Sequence, residues 1–161
     1  MKRVYIKKGD IFSVPIDEMH VKLFQYIADD LEQLNSAIIR VFKRVYSKEE
    51  ILDLNEEVKG EVEFYTHTFV RNGVKLGYWQ KAGKTSEIGV CDIFFRDSGD
   101  YGNPKIKISE DWHVWKINQP SIPVGKLEGD YQKAEIGVVI SPDSIVHRMK
   151  TGKYDFVYPS F

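Results

Sequence analysis

The sequence predicts a β-rich α+β domain built on a twisted, mainly antiparallel sheet with two short helices. Three observations carry that expectation. Apolar and polar residues alternate in several separate stretches, which is the period of a half-buried strand. Two other stretches carry helix start and stop signals instead. The strand-like stretches also lack the regular strand and helix alternation of a parallel α/β sheet, which favours antiparallel pairing.

The first strand is GDIFSVPID, residues 9–17, where Gly9 and Asp10 form a turn and Phe12, Val14 and Ile16 share one side. Pro15 has no amide proton for a sheet ladder, so it marks an edge strand or a bulge near the strand end. Residues 19–34 are ambiguous, because Met19, Leu23, Tyr26, Ile27 and Leu34 also fit one helical face; a strand through Val21 to Ala28 is preferred. Ala37 to Tyr46 alternates clearly, with Ile39, Val41 and Val45 on one face and Arg40 and Arg44 on the other. At Ser47 the run SKEE reads as a capping box that starts a helix through Ile51, Leu54 and Val58, stopped at Lys59 and Gly60.

Glu61 to Val70 is a further strand, ended by an Asn72-Gly73 turn signal. Strands are expected again over Ile88 to Phe95, Lys105 to Ile117 and Ala134 to Ile140, with the polar run DSGDYGNP, residues 97–104, as a long turn. The second helix is SPDSIVHRMKTG: Ser141 is its cap, Pro142 opens its first turn, and Gly152 follows its end. The sum is six to eight strands and two helices in one domain spanning residues 1–161, a length that encloses a real core.

The 42% hydrophobic and 29% charged residues are those of a soluble globular protein. Basic and acidic residues number 23 and 24, so no overall field gathers nucleic acid or anionic membrane. No apolar run approaches a membrane span, and no apolar segment follows the charged MKRVYIKKGD, so neither insertion nor export is expected. The lone Cys91 allows no intrachain disulfide, and a reducing cytoplasm is the simplest setting.

Chemistry-bearing residues are scattered. His20, His67, His113 and His147 are too far apart to place two ligands on one helix face or strand, so neither a metal nor a cofactor is expected. There is no Gly-x-Ser-x-Gly elbow, Cys91 in GVCDIFF reads as a buried and inert thiol, and Gly125 and Gly129 lack the spacing of a phosphate loop. The adjacent acids Asp29-Asp30, Glu56-Glu57 and Glu110-Asp111 would point to opposite strand faces.

Two surfaces remain as partner-binding candidates. Residues 48–63 contain seven acids against Lys48 and Lys59, and Glu49, Asp53, Glu56 and Glu57 could meet a basic protein. In SEDWHVWKIN, residues 109–118, a strand places Trp112 and Val114 toward the core and leaves Asp111, His113 and Trp115 on a second face open to a partner.

Four stretches also resemble one known family. GDIFSVPID, AIIRVF, EFYTHTFVRNGVKLGYWQKAGK and WHVWKINQP are similar to the immunity protein 26 family of bacterial polymorphic toxin systems. The family's opening strand and its central segment correspond to Gly9, Asp10, Ile11, Phe12 and Pro15, then to Gly77, Tyr78, Trp79 and Gly83, with Tyr78 where a basic residue is common. The resemblance implies a mostly β immunity protein, encoded beside a toxin, that protects its producer by binding that toxin domain. It carries over no catalytic residue, and the composition and motifs lead to no expected cofactor, nucleic acid or membrane partner. The alternatives are a small hydrolase using distant groups such as Glu110, Asp111 and His113, or a β-domain that stacks nucleic-acid bases on exposed aromatics.

Overall fold

The alternating stretches pair as strands, almost all of them antiparallel. In the computed structural model, which describes residues 3–161, strands make two sheets flanked by three α-helices. The first sheet holds β5 (Val62–Thr68), β3 (Ser36–Phe42), β2 (His20–Asp30), β1 (Asp10–Pro15) and β6 (Gln80–Lys84) in that order, with β4 (Tyr46–Ser47) paired to the start of β2. The second holds β10 (Glu135–Ile136), β7 (Phe95–Ser98), β8 (Trp112–Trp115) and β9 (Ile122–Gly125), where β10 and β7 run parallel. The helices are α1 (Leu54–Glu57), α2 (Val70–Lys75) and α3 (Pro142–Thr151), one more than expected. Residues 20–30 form a strand, which resolves the ambiguity there.

Register explains why the first sheet holds its core. Phe12 lies opposite Phe24, Phe24 opposite Val41 and Val41 opposite Phe64, so one row of large apolar side chains crosses four strands. Val70, Trp79 and the α3 residues Ile145, Val146 and Met149 cover that face. The other face is divided. Ile11, Val21, Leu23 and Phe42 pack with Tyr46 and Val58 at one end, while Ile27 and Ile38 meet Phe95 and Trp115 of the second sheet at the other. Between them Arg40 is buried, not solvated: its Nε and Nη2 donate to Gln25 Oε1 at 2.9 and 2.7 Å, and the Gln25 amide donates to the carbonyls of Gly9 and Glu87 at 3.2 and 3.1 Å. Pro15 falls beyond the end of β6, where β1 has only β2 beside it and the missing amide proton costs nothing.

Several expected boundaries differ. The helix predicted from Ser47 begins at Leu54, because Tyr46 is buried and Tyr46–Ser47 pair with β2, which holds the backbone extended where a cap was expected. Asp53 caps the helix instead, its side chain accepting from the Asn55 amide at 3.1 Å. Residues 88–94 are not a strand: Cys91 and Ile93 pack inward, but no neighbouring strand pairs with them, since alternation reports half-burial and not a ladder. Of residues 105–117 only Trp112–Trp115 form a strand, and of residues 134–140 only Glu135–Ile136. Asn72 and Gly73 lie within α2 and do not form a turn. The final helix matches its signals, with Pro142 at the start and Gly152 closing it at φ 85°. Among the described residues no helix is long and apolar enough to cross a membrane.

Gly73 is required for space. A Cβ there would overlap the buried Trp79 ring, whose Nε1 donates to the Val70 carbonyl at 2.9 Å. Gly73→Ala therefore has to displace a rigid indole, and the expected loss is about 2 kcal/mol of unfolding free energy. An unchanged midpoint in a urea titration would show that the ring has room to move.

Candidate functional site

SEDWHVWKIN alternates as expected but is covered on both sides. Trp112 and Val114 pack with Leu127, and Trp115 lies against Ile27, Ile38 and Phe95. At 2% exposure Trp115 is an interior residue and offers no surface to a partner, because the first sheet occupies the face that sequence alone leaves open. His113 is half-buried and stacks on Trp115 at 5.8 Å, Asp111 is exposed, and Glu110 pairs with Lys126 at 3.6 Å.

What Trp115 reaches is the centre of a buried polar network. Its Nε1 donates to Asp30 Oδ2 at 2.9 Å, and His67 Nε2 meets the same oxygen at 2.9 Å. Asp30 Oδ1 accepts from the amides of Asn118 and Gln33 at 3.1 and 3.2 Å. Asp30 and His67 are fully buried. Because a carboxylate oxygen accepts, the His67 proton is assigned to Nε2, which leaves Nδ1 buried without a partner. Burial pushes the His67 pKa down, and the hydrogen bond that His67 donates to Asp30, with the Asp30 charge, only partly opposes this. A second proton would sit on Nδ1 with no acceptor. A carboxylate, an imidazole and an indole thus join β2, β5 and β8 in a cross-brace closed to solvent.

The acidic segment is less acidic in three dimensions. Arg44 bonds to Glu57 and Glu50 at 3.0 and 3.3 Å, Lys43 to Glu61 at 3.5 Å and Lys59 to Glu56 at 3.2 Å, while Lys22 pairs with Glu63. Glu57 also accepts from the Tyr46 hydroxyl. So Glu57 is spent within the fold, Glu56 stays on the surface beside an equally exposed Lys59, and among the described residues Glu49 and Asp53 carry no ion pair. Beside them Ile51 is 98% exposed and Met19 65% exposed. The Lys48 amide donates to the Met19 carbonyl at 3.0 Å, which sets the β1–β2 turn against this segment. The two candidate surfaces are separate. The acids adjoin the His20 end of β2 and SEDWHVWKIN its Asp30 end, about 30 Å apart along an extended strand of 11 residues.

Set against protein-family models, curated proteins and solved structures, the chain matches none.

Among the described residues no three His, Cys, Asp or Glu side chains converge as metal ligands. Burial raises the Cys91 thiol to about 11, which favours its neutral form. Sequence reasoning missed Asp30 as the centre of a network, since three of its four partners lie 37 to 88 residues away. It also missed a cluster around Arg96, Glu135 and Arg148, residues unremarkable in their own segments.

The His67 environment has a pH consequence. Below its ordinary value of 6.5 the unfolded chain binds a proton at His67 that the native state withholds, so the unfolded state binds more protons and stability falls as pH falls through that window. His67→Gln, whose amide can still donate to Asp30, is expected to lose most of the His67 share of the slope between about pH 6.5 and 5. Urea midpoints across that range would show it. Parallel curves for the two proteins would exclude His67 as the source.

Proposed function

We propose that the chain is a cytoplasmic immunity protein that binds and neutralises a cognate bacterial toxin by direct protein-protein contact. The observation that carries this reading is the corner where Ile51, 98% exposed, and Met19, 65% exposed, stand beside the unpaired acids Glu49 and Asp53. Exposed apolar side chains with free acids at their edge suit a basic protein surface: burial supplies affinity, and the charges steer encounter. A nuclease toxin, whose cleft is basic in order to hold phosphates, has the complementary chemistry. The resemblance of Gly9 to Phe12, Pro15, Gly77, Trp79 and Gly83 to immunity protein 26 points the same way.

The test pairs this chain with the toxin domain encoded beside it. Co-expression is expected to rescue growth from that toxin and not from an unrelated one. Glu49→Lys with Ile51→Asp changes two exposed side chains that bear none of the core, so affinity by calorimetry is expected to fall about tenfold or more while the melting temperature holds. Full affinity in the double variant removes the corner from the interface. Failure of the wild type to protect against the neighbouring toxin removes the whole reading.

A further inference from the structure

On the side of the molecule where α3 meets the second sheet, a cleft of about 420 Å³ runs between β7, β10, α3 and the chain's last residues. Its volume is within the range of small-molecule sites. Arg96 comes from β7, Arg148 from α3 and Lys153 from the turn after α3, and Glu135 is the one carboxylate in the lining.

The two guanidinium groups sit among aromatic rings. Arg148 lies 4.0 Å from the Phe64 centroid and 4.8 Å from that of Tyr154, and Arg96 lies 5.2 Å from the Trp112 ring and 5.5 Å from that of Tyr158. Cation–π contacts of this kind use none of the N–H donors as hydrogen bonds to a ring oxygen or carboxylate. Few of those donors are used. Arg96 Nε donates to the Ala134 carbonyl at 3.0 Å, but its Nη1 is buried with no partner. Arg148 Nη1 pairs with Glu135 at 3.4 Å, and the buried Tyr154 hydroxyl lies beside Thr66 and Arg148 without a hydrogen bond of ordinary geometry. Buried donors without acceptors are rare and costly in native proteins. An anion in the cleft would satisfy them.

The anion has a second neighbour. Tyr154, Phe156 and Tyr158 occupy alternate positions of the tail and line the cleft, with the Tyr154 and Phe156 rings stacked at 5.1 Å and 16°. Two guanidinium forks match phosphate oxygens in pairs, and a row of partly exposed rings accepts the face of a planar heterocycle. We propose that this cleft binds a phosphate monoester carrying an aromatic ring, a ligand of mononucleotide size. The site is remote in chemistry from the acidic corner and does not depend on the antidote reading.

Calorimetry on the full chain with adenosine 5′-monophosphate, adenosine and inorganic phosphate as separate probes tests this. The monophosphate is expected to bind with a dissociation constant on the order of 0.1 mM, and adenosine and phosphate each about tenfold more weakly. Arg148→Gln should weaken the monophosphate about tenfold. Lys153→Gln, an exposed change that leaves the core untouched, should weaken it about threefold and decides the matter if the Arg148 variant fails to fold. The proposal is overturned by no monophosphate binding at about 5 mM, by adenosine or phosphate binding as tightly as the monophosphate, or by unchanged affinity in the folded variants.

Discussion

The structure depends on where the Asp30 carboxylate finds its hydrogen bonds. A buried carboxylate is costly unless its lone pairs are filled, and here an imidazole, an indole and two backbone amides fill them. Those donors belong to β5, to β8 and to the turns after β2 and β8, so satisfying one side chain fixes the first sheet against the second. The apolar contacts among Ile27, Ile38, Phe95 and Trp115 exclude water around it, but they are non-directional and would tolerate sliding. Asp30 supplies the direction. Its geometry also decides that Trp115 turns inward, which in turn seats His113 on the indole face.

Residues that look chemical in the sequence are, in this fold, largely employed in holding the fold. His67 braces, and Glu57 anchors Arg44 and Tyr46. Trp79 needs the bare backbone of Gly73, and Gly83 leaves room for Leu54. Trp79 and Gly83 therefore have packing reasons for their identity.

Local signals with a local cause were legible in the chain. The strand Val62–Thr68 and the helix Pro142–Thr151 arise from alternation and end signals within their own segments. The strand stops two residues short of the expected Val70, which opens α2, and the helix has Pro142 and Gly152 at its ends but no side-chain cap from Ser141. Ser47 failed because a remote strand competed for its backbone. Residues 88–94 failed because half-burial came from packing over the Gln25 and Arg40 pair, where Gly89 adjoins the Arg40 guanidinium, with no partner strand beside them. The acidic corner was half legible: Glu49 and Asp53 carry no ion pair, though Asp53 caps α1, and the cations that neutralise Glu57, Glu61 and Glu63 come from Arg44, Lys43 and Lys22, outside the segment. The charge of a stretch is set by its neighbours in space.

The long separations within the Asp30 network also order events as the chain is made. His67 is 37 residues downstream of Asp30, on β5, which pairs with β3 beside β2, so this half of the network lies within antiparallel neighbours of short sequence separation. Trp115 and Asn118 follow 85 and 88 residues after Asp30. Until they emerge from the ribosome, the carboxylate has water in place of two of its donors, and the edge of the nascent sheet around it stays wet. Docking of the second sheet is then a dehydration step, and the first half of the chain waits for the second to make it dry.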